Sequence, residues 1–159
     1  MSWYCSRSAG VKVLRGSVSD VLANQPPSGS CDTCGATVGS DTITMTGTVY
    51  FGLAVASHTM WAYANADFSD ITIASGSSAS PASSWTSADV GSPALAGSTS
   101  VFSNGLSLKA GGADVWGSSD QFRFAYQQLT GDGTIVAFVS NLRYADAWSK
   151  AGVMIRETM

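Results

Sequence analysis

Gln121-Phe-Arg-Phe-Ala-Tyr-Gln-Gln-Leu129, Thr130-Gly-Asp-Gly133 and Thr134-Ile-Val-Ala-Phe-Val-Ser-Asn-Leu142 follow one another without a break. Phe122, Phe124 and Tyr126 alternate with Gln121, Arg123, Ala125 and Gln127, and Ile135, Ala137 and Val139 resume the alternation after the glycines. A period of two is that of a strand, whose successive side chains point to opposite faces. Asp132-Gly133 between the runs supplies the positive backbone angles of a tight hairpin. The segment reads as two antiparallel strands joined by a turn.

Composition extends that reading to the whole chain. Of 159 residues only 12% are charged and 45% are hydrophobic, the net charge is −3, and Ser and Gly number 26 and 17. Soluble domains carry roughly a quarter of their residues as charged side chains. Long exposed helices draw on Glu, Lys, Gln and Arg, yet Glu occurs once, at Glu157, and Lys only at Lys12, Lys109 and Lys150. A Gly/Ser/Thr-rich chain with scattered β-branched and aromatic residues suits short strands and many turns. Eight basic residues spread along an acidic chain argue against nucleic acid as a partner. The absence of any run of about twenty apolar residues argues against membrane insertion. No signal-peptide pattern opens the sequence.

Outward from the hairpin, Val49, Phe51, Leu53 and Val55 alternate with Tyr50, Gly52, Ala54 and Ala56 over 48–57, the pattern of a strand covered on both faces. Ile43 and Met45 precede it, with Gly47 as a turn. The run 61–73 reads as a strand with a register change near Ser69-Asp70, a bulge. Short strands at 99–102 and 106–109 flank an Asn104-Gly105 turn, 85–97 is turn-rich, and 151–157 directs Val153 and Ile155 inward with Met154 and Arg156 on the other face. Residues 74–84 hold nothing larger than Ala among their apolar side chains and read as a Ser-rich linker. Residues 18–38 read as irregular, with a helical turn or two over 18–24 ended by Pro26-Pro27. Cys5, Cys31 and Cys34 are odd in number and make no disulfide framework.

The second half has a distinctive wording: Trp85-Thr-Ser-Ala-Asp-Val-Gly-Ser-Pro-Ala-Leu-Ala-Gly, Gly112-Ala-Asp-Val-Trp-Gly, Asp120-Gln-Phe-Arg-Phe-Ala-Tyr, Leu129-Thr-Gly-Asp-Gly-Thr-Ile-Val-Ala and Trp148-Ser-Lys-Ala-Gly-Val-Met-Ile-Arg-Glu-Thr. In that order the blocks resemble the N-terminal half of a bacterial extracellular repeat of the concanavalin A-like lectin/glucanase superfamily, related to the "regulation of enolase" domain of unknown function. Val49-Tyr-Phe-Gly-Leu-Ala-Val-Ala-Ser-His and Ala66-Asp-Phe-Ser-Asp-Ile-Thr-Ile are similar to the last strands of such a repeat. The resemblance implies an all-β antiparallel β-sandwich of jelly-roll type in permuted or incomplete form. Residues 1–73 would be the C-terminal half of a repeat, 74–84 the linker and 85–159 the N-terminal half. The halves are either pieces of a tandem array or, as expected for the chain as it stands, packed on each other. It further implies an extracellular or cell-surface location, with neighbouring repeats or self-association through half-sandwich faces as protein partners.

Glucanases of that superfamily use two carboxylates at the scissile bond. Glu157 has no second Glu beside it, so a glycoside hydrolase remnant ranks third among the readings and no enzyme is expected. His58 has no nucleophile elbow around it. A zinc reading of Cys31 and Cys34 with Cys5 and His58 lacks the paired ligand spacing of zinc sites. Exposed Trp and Tyr stack on the apolar faces of sugar rings while Asp, Asn and Gln orient hydroxyls. Trp61 and Tyr63, two apart on one strand face, and Tyr144 and Trp148, flanking a loop with Asp146, are the candidate carbohydrate-binding residues. Trp116 and Trp148 also admit a packing role at sheet corners. No cofactor is expected beyond a structural calcium, for which Asp114 and Asp120, with Asn104 and Asp132, are turn-borne oxygen donors. The expected function is a non-catalytic carbohydrate-binding module with a polysaccharide or glycan partner. The alternative is a structural or adhesive spacer whose aromatics all belong to the core.

Overall fold

The computed structural model describes the backbone of residues 10–14 and residues 47–75, 85–116, 119–131 and 133–159. The described residues form eleven strands and no helix: β1 (Gly10–Leu14), β2 (Thr48–Ala56), β3 (Thr59–Ser75), β4 (Thr86–Val90), β5 (Ser98–Phe102), β6 (Gly105–Gly112), β7 (Val115–Trp116), β8 (Ser119–Asp120), β9 (Phe122–Thr130), β10 (Gly133–Arg143) and β11 (Lys150–Arg156). They build a five-stranded sheet in the order β1-β10-β3-β6-β5, a four-stranded sheet in the order β11-β2-β9-β4 and a β7-β8 ribbon. Every pairing is antiparallel. The molecule is an all-β sandwich.

Its main core lies between the two large sheets. Val49, Phe51, Leu53 and Val55 of β2, with Ala151, Val153 and Ile155 of β11, meet Ala64, Ala66 and Phe68 of β3, Leu106, Leu108 and Ala110 of β6, and Ile135, Ala137 and Val139 of β10. The alanines of β3 leave room for the larger residues opposite, which is how two pleated faces interdigitate. Each fully buried Phe or Leu contributes about 1.5–3 kcal/mol relative to exposure.

β2 is buried on both faces, as its alternation predicts. Its other face, with Ala54 and Ala56, joins a second cluster made by Phe122, Phe124, Met154, Val90 and Val115, with Tyr50 and Tyr126 packed against it. Phe124 stacks on Tyr126 at 5.3 Å between ring centroids, and Tyr50 meets Tyr126 edge-on at 5.2 Å. The aromatic face of the 121–129 run therefore turns away from the inter-sheet core, towards which Ala125 and Leu129 point instead. Alternation identifies two faces but not which of them meets the partner sheet. Gly52 lies under this layer: a Cβ there would stand 2.6 Å from the Phe124 ring and 2.2 Å from the Ala125 carbonyl oxygen.

The expected bulge is present at Ser69-Asp70. Val136 pairs with Thr72 but Phe138 with Ser69, and Asp70 takes a φ of 50°. The extra residue turns Ile71 and Ile73 back against the core. Four expectations need correction. β9 and β10, read as the two arms of a tight hairpin, do not pair: β9 lies between β2 and β4 in one sheet and β10 between β1 and β3 in the other, because alternation identifies strands and their faces but not their partners. Residues 86–90, read as turn, form β4 against β9. Val115–Trp116 and Ser119–Asp120 pair as the small ribbon. The β5–β6 turn is Ser103-Asn104, since Gly105 already pairs with Phe102 and with Ser69.

Strands from before the Ser-rich stretch are interleaved with those after it. β2 lies between β11 and β9, and β3 between β10 and β6. β3 runs through Ala74 and Ser75, the first two residues of the predicted linker. The rest of that stretch, and the predicted features at 43–45 and 18–38, lie outside the described residues.

Because Gly52 has a ring on one side and backbone on the other, Gly52→Ala is expected to destabilise the fold by roughly 1–3 kcal/mol, the usual cost of overpacking. The fall in the urea midpoint at unchanged slope measures it.

Candidate functional site

The chain passes from one sheet to the other between β2 and β3 in two residues, Ser57 and His58. Ser57 is completely buried, and its hydroxyl lies within hydrogen-bond distance of the Thr59 and Gly112 carbonyl oxygens, at 2.7 and 3.1 Å. His58 takes a left-handed φ of 60°, which directs the imidazole outward over the neighbouring loops. Single left-handed non-glycine residues occur where the surroundings impose them.

The loop between β10 and β11, residues 144–149, is braced against this corner. Ser149 Oγ accepts the amides of Ala145 and Asp146, each at 3.1 Å, and donates to the Ser57 carbonyl at 2.7 Å. The Ser149 amide donates to the Asp146 carbonyl at 3.0 Å, and the Trp148 amide to Asp146 Oδ1 at 2.9 Å. Asp146 Oδ1 also faces His58 Nδ1 at 3.0 Å, while His58 Nε2 stands 3.4 Å from Asp114 Oδ2. The other oxygen of Asp114 takes the Val115 amide and the Lys150 ammonium. His58 thus bridges two aspartates from two different connections.

Each of these three connections carries an outward tryptophan two or three residues beyond its polar anchor. Trp61 follows His58 and is 80% exposed, Trp116 follows Asp114 and is 76% exposed, and Trp148 follows Asp146 and is 46% exposed, its ring 6.5 Å from the imidazole. Tyr144, at 62%, begins the same loop. One end of the sandwich therefore presents four large aromatics around His58, Asp114, Asp146 and Lys150.

Next to it lies the outer face of the five-stranded sheet. Trp61, Tyr63, Asn65 and Asp67 alternate along β3 with the buried Ala64, Ala66 and Phe68. The Lys109 ammonium sits 3.9 Å above the Tyr63 ring, a cation–π contact that leaves the phenol half-buried. Asp67 accepts from Ser107 Oγ at 2.6 Å on one neighbouring strand and from Asn141 Nδ2 at 3.0 Å on the other. The Ser107 bond, then the Asn141 bond, with Arg143 nearby, hold its carboxyl below the ordinary carboxylate range against a smaller opposing effect of burial.

Of the residues singled out from sequence, Trp61 and Tyr63 share the sheet face as expected, and Tyr144 and Trp148 stand at the same end. The Arg143–Asn65 pairing carries the chain into Tyr144 alongside the start of β3. The packing alternative for Trp116 and Trp148 does not hold, because both project from the surface. Of the two residues of the calcium reading, Asp114 faces Lys150 and His58, and Asp120 faces Arg156 at 3.6 Å. Asn104 is at the opposite end of β6, and among the described residues no three His, Cys, Asp or Glu are placed to hold a metal. The cysteines and Asp132 lie outside the described residues. The sequence reading missed the bridging role of His58 and the bracing by Ser149. One signal was available: Asp-x-Trp occurs twice, at Asp114–Trp116 and Asp146–Trp148.

Comparison of the chain with protein-family models, with curated proteins and with solved structures returns no match.

Two outcomes test this geometry. Asp67 contributes stability that is complete above its unfolded pKa near 3.9 and is lost as pH falls through its lower folded value. The stability gap between wild type and Asp67→Asn, followed by urea titration, is therefore expected to be widest near neutrality and to close below about pH 4. Ser149→Ala leaves two amides and a buried carbonyl without their partner and is expected to cost about 1–3 kcal/mol, read as a lowered melting temperature.

Proposed function

We propose that the chain is a non-catalytic carbohydrate-binding module of a secreted or cell-surface protein, within a concanavalin A-like jelly-roll family as the sequence resemblance implies. The observation that carries this reading is Trp61, 80% exposed on the outer face of the five-stranded sheet and in line with Tyr63, Asn65 and Asp67. A solvated indole on a regular strand does nothing for the core, and with Tyr63 beside it on the same face it offers aromatic surface to a ligand. Its chemistry suits a sugar: flat rings for the C–H faces, with Asn65, Asp67, Asn141 and Lys109 on the same sheet surface as donors and acceptors for hydroxyls. Tyr144 and Trp148 extend the aromatic surface beyond the strand.

A catalytic role finds less support. Glu157 is the single glutamate of the chain, and the hydroxyls of Ser57 and Ser149 near His58 are both engaged with backbone carbonyls. The spacer alternative requires the aromatics to be core, and the exposure of Trp61 speaks against it.

Retention on insoluble polysaccharides, together with a glycan array, tests the proposal. Wild type is expected to be retained by at least one glycan, and Trp61→Ala/Tyr63→Ala to lose about tenfold or more in affinity, about 1.4 kcal/mol. Retention by no glycan sinks the proposal, and retention unaffected by the double change sinks the platform.

A further inference from the structure

We infer that the loop end of the sandwich is a subsite for a neutral sugar unit, built by Trp148 and Asp146 with Trp116 across the His58 bridge. The inference rests on the carbohydrate-binding reading and specifies where on the molecule a glycan ends and which glycans are refused.

Asp146 is the central group. Its Oδ1 is fixed by the His58 ring and by the amide of Trp148, while the side chain as a whole remains 40% accessible. That carboxylate is held two residues from an exposed indole. A stacking ring beside a fixed acceptor is the pair that recognises a pyranose, one through its C–H face and the other through a hydroxyl. The loop is also rigid before any ligand arrives. Five hydrogen bonds, from Ser149, Asp146 and the amides of Ala145, Asp146 and Trp148, lock residues 145–149 to one another and to the buried corner at Ser57. A braced loop that still presents its largest apolar side chain to water is preorganised for contact, and binding there loses little further conformational freedom.

Charge sets the selectivity. The groups around the subsite are the carboxylates of Asp114 and Asp146, the Lys150 ammonium and the His58 imidazole; Asp120 faces Arg156. Both carboxylates flank the His58 ring, and the Lys150 ammonium is turned onto Asp114. An incoming uronate or sialate carboxylate would meet the Asp146 carboxylate, with Lys150 turned onto Asp114 and Arg143, at the start of the loop, near Asp67, whereas a hydroxyl donates to Asp146.

Retention of the full chain on neutral polysaccharides (cellulose, β-1,3-glucan, xylan, mannan) and on acidic ones (polygalacturonate, alginate) tests this. Variants Trp148→Ala, Trp148→Phe, Trp116→Ala and Asp146→Asn are compared with Trp61→Ala/Tyr63→Ala, each confirmed folded by circular dichroism and melting. The inference expects retention on a neutral polymer and none on the acidic ones. It expects at least tenfold weaker retention for Trp148→Ala and Asp146→Asn, a smaller loss for Trp116→Ala, and near wild-type behaviour for Trp148→Phe. Sensitivity to Trp61→Ala/Tyr63→Ala without sensitivity to Trp148→Ala or Asp146→Asn overturns the subsite and leaves the carbohydrate-binding module standing. A preference for the acidic polymers overturns the charge argument, and retention by no polymer overturns module and subsite together.

Discussion

The structure depends on β2 being buried on both sides. A strand can lie inside a sheet, beneath the opposite sheet and beneath a second apolar layer only if its two faces are sized differently. Here Val49, Phe51, Leu53 and Val55 fill the space between the sheets, and Gly52, Ala54 and Ala56 admit the rings of the layer outside. That asymmetry lets β11 and β9 pair on either side of β2 in unbroken register. It also fixes where the strand ends, and so the corner at Ser57-His58 from which β3 starts in the other sheet. The arrangement of the loop end follows, because the 144–149 loop is tied to the Ser57 carbonyl and both aspartates to the His58 ring.

A large part of this was readable in the residues, and the failures have physical reasons. The two-faced burial of β2, the bulge at Ser69-Asp70, the existence of β9 and β10 as strands and the inward Val153 and Ile155 all follow from side-chain periodicity, which is a local property; that β9 and β10 part into different sheets is a tertiary outcome that periodicity does not carry. β4 was not readable because Thr86-Ser-Ala-Asp-Val90 lacks large apolar residues: it is an edge strand stabilised by pairing with β9 and by Arg123, which reaches Ser87 and Asp89. The ribbon at 115–120 has two-residue strands, too short for any period to show.

The candidate site was readable in its apolar half. Trp61, Tyr63, Tyr144 and Trp148 stand out as large rings amid small polar residues, and alternation alone puts the first two on one face. The polar half was not. His58, Asp114 and Asp146 are widely separated in sequence, and the tertiary fold alone brings them together. Each looked like ordinary turn chemistry, and for Asp146 that is half true, since its Oδ1 does cap the Trp148 amide.

The interleaving of strands has a consequence for how the chain reaches this state. Gly10 pairs with Phe138, Ala56 with Lys150 and Thr48 with Thr130, so the central strands of both sheets find neighbours far along the sequence. Closing such long loops before any contact rewards them slows folding, and β-rich chains of high contact order fold in milliseconds to seconds rather than microseconds. The β5–β6 hairpin is local and forms early by comparison. Until β2 brings its small residues, the Phe124 ring has nothing beneath it and the β9 backbone that β2 pairs with is an unfilled slot. The insertion of one strand is therefore the step at which this molecule commits to its fold, and an unfilled slot of this kind is where a second chain would enter by mistake.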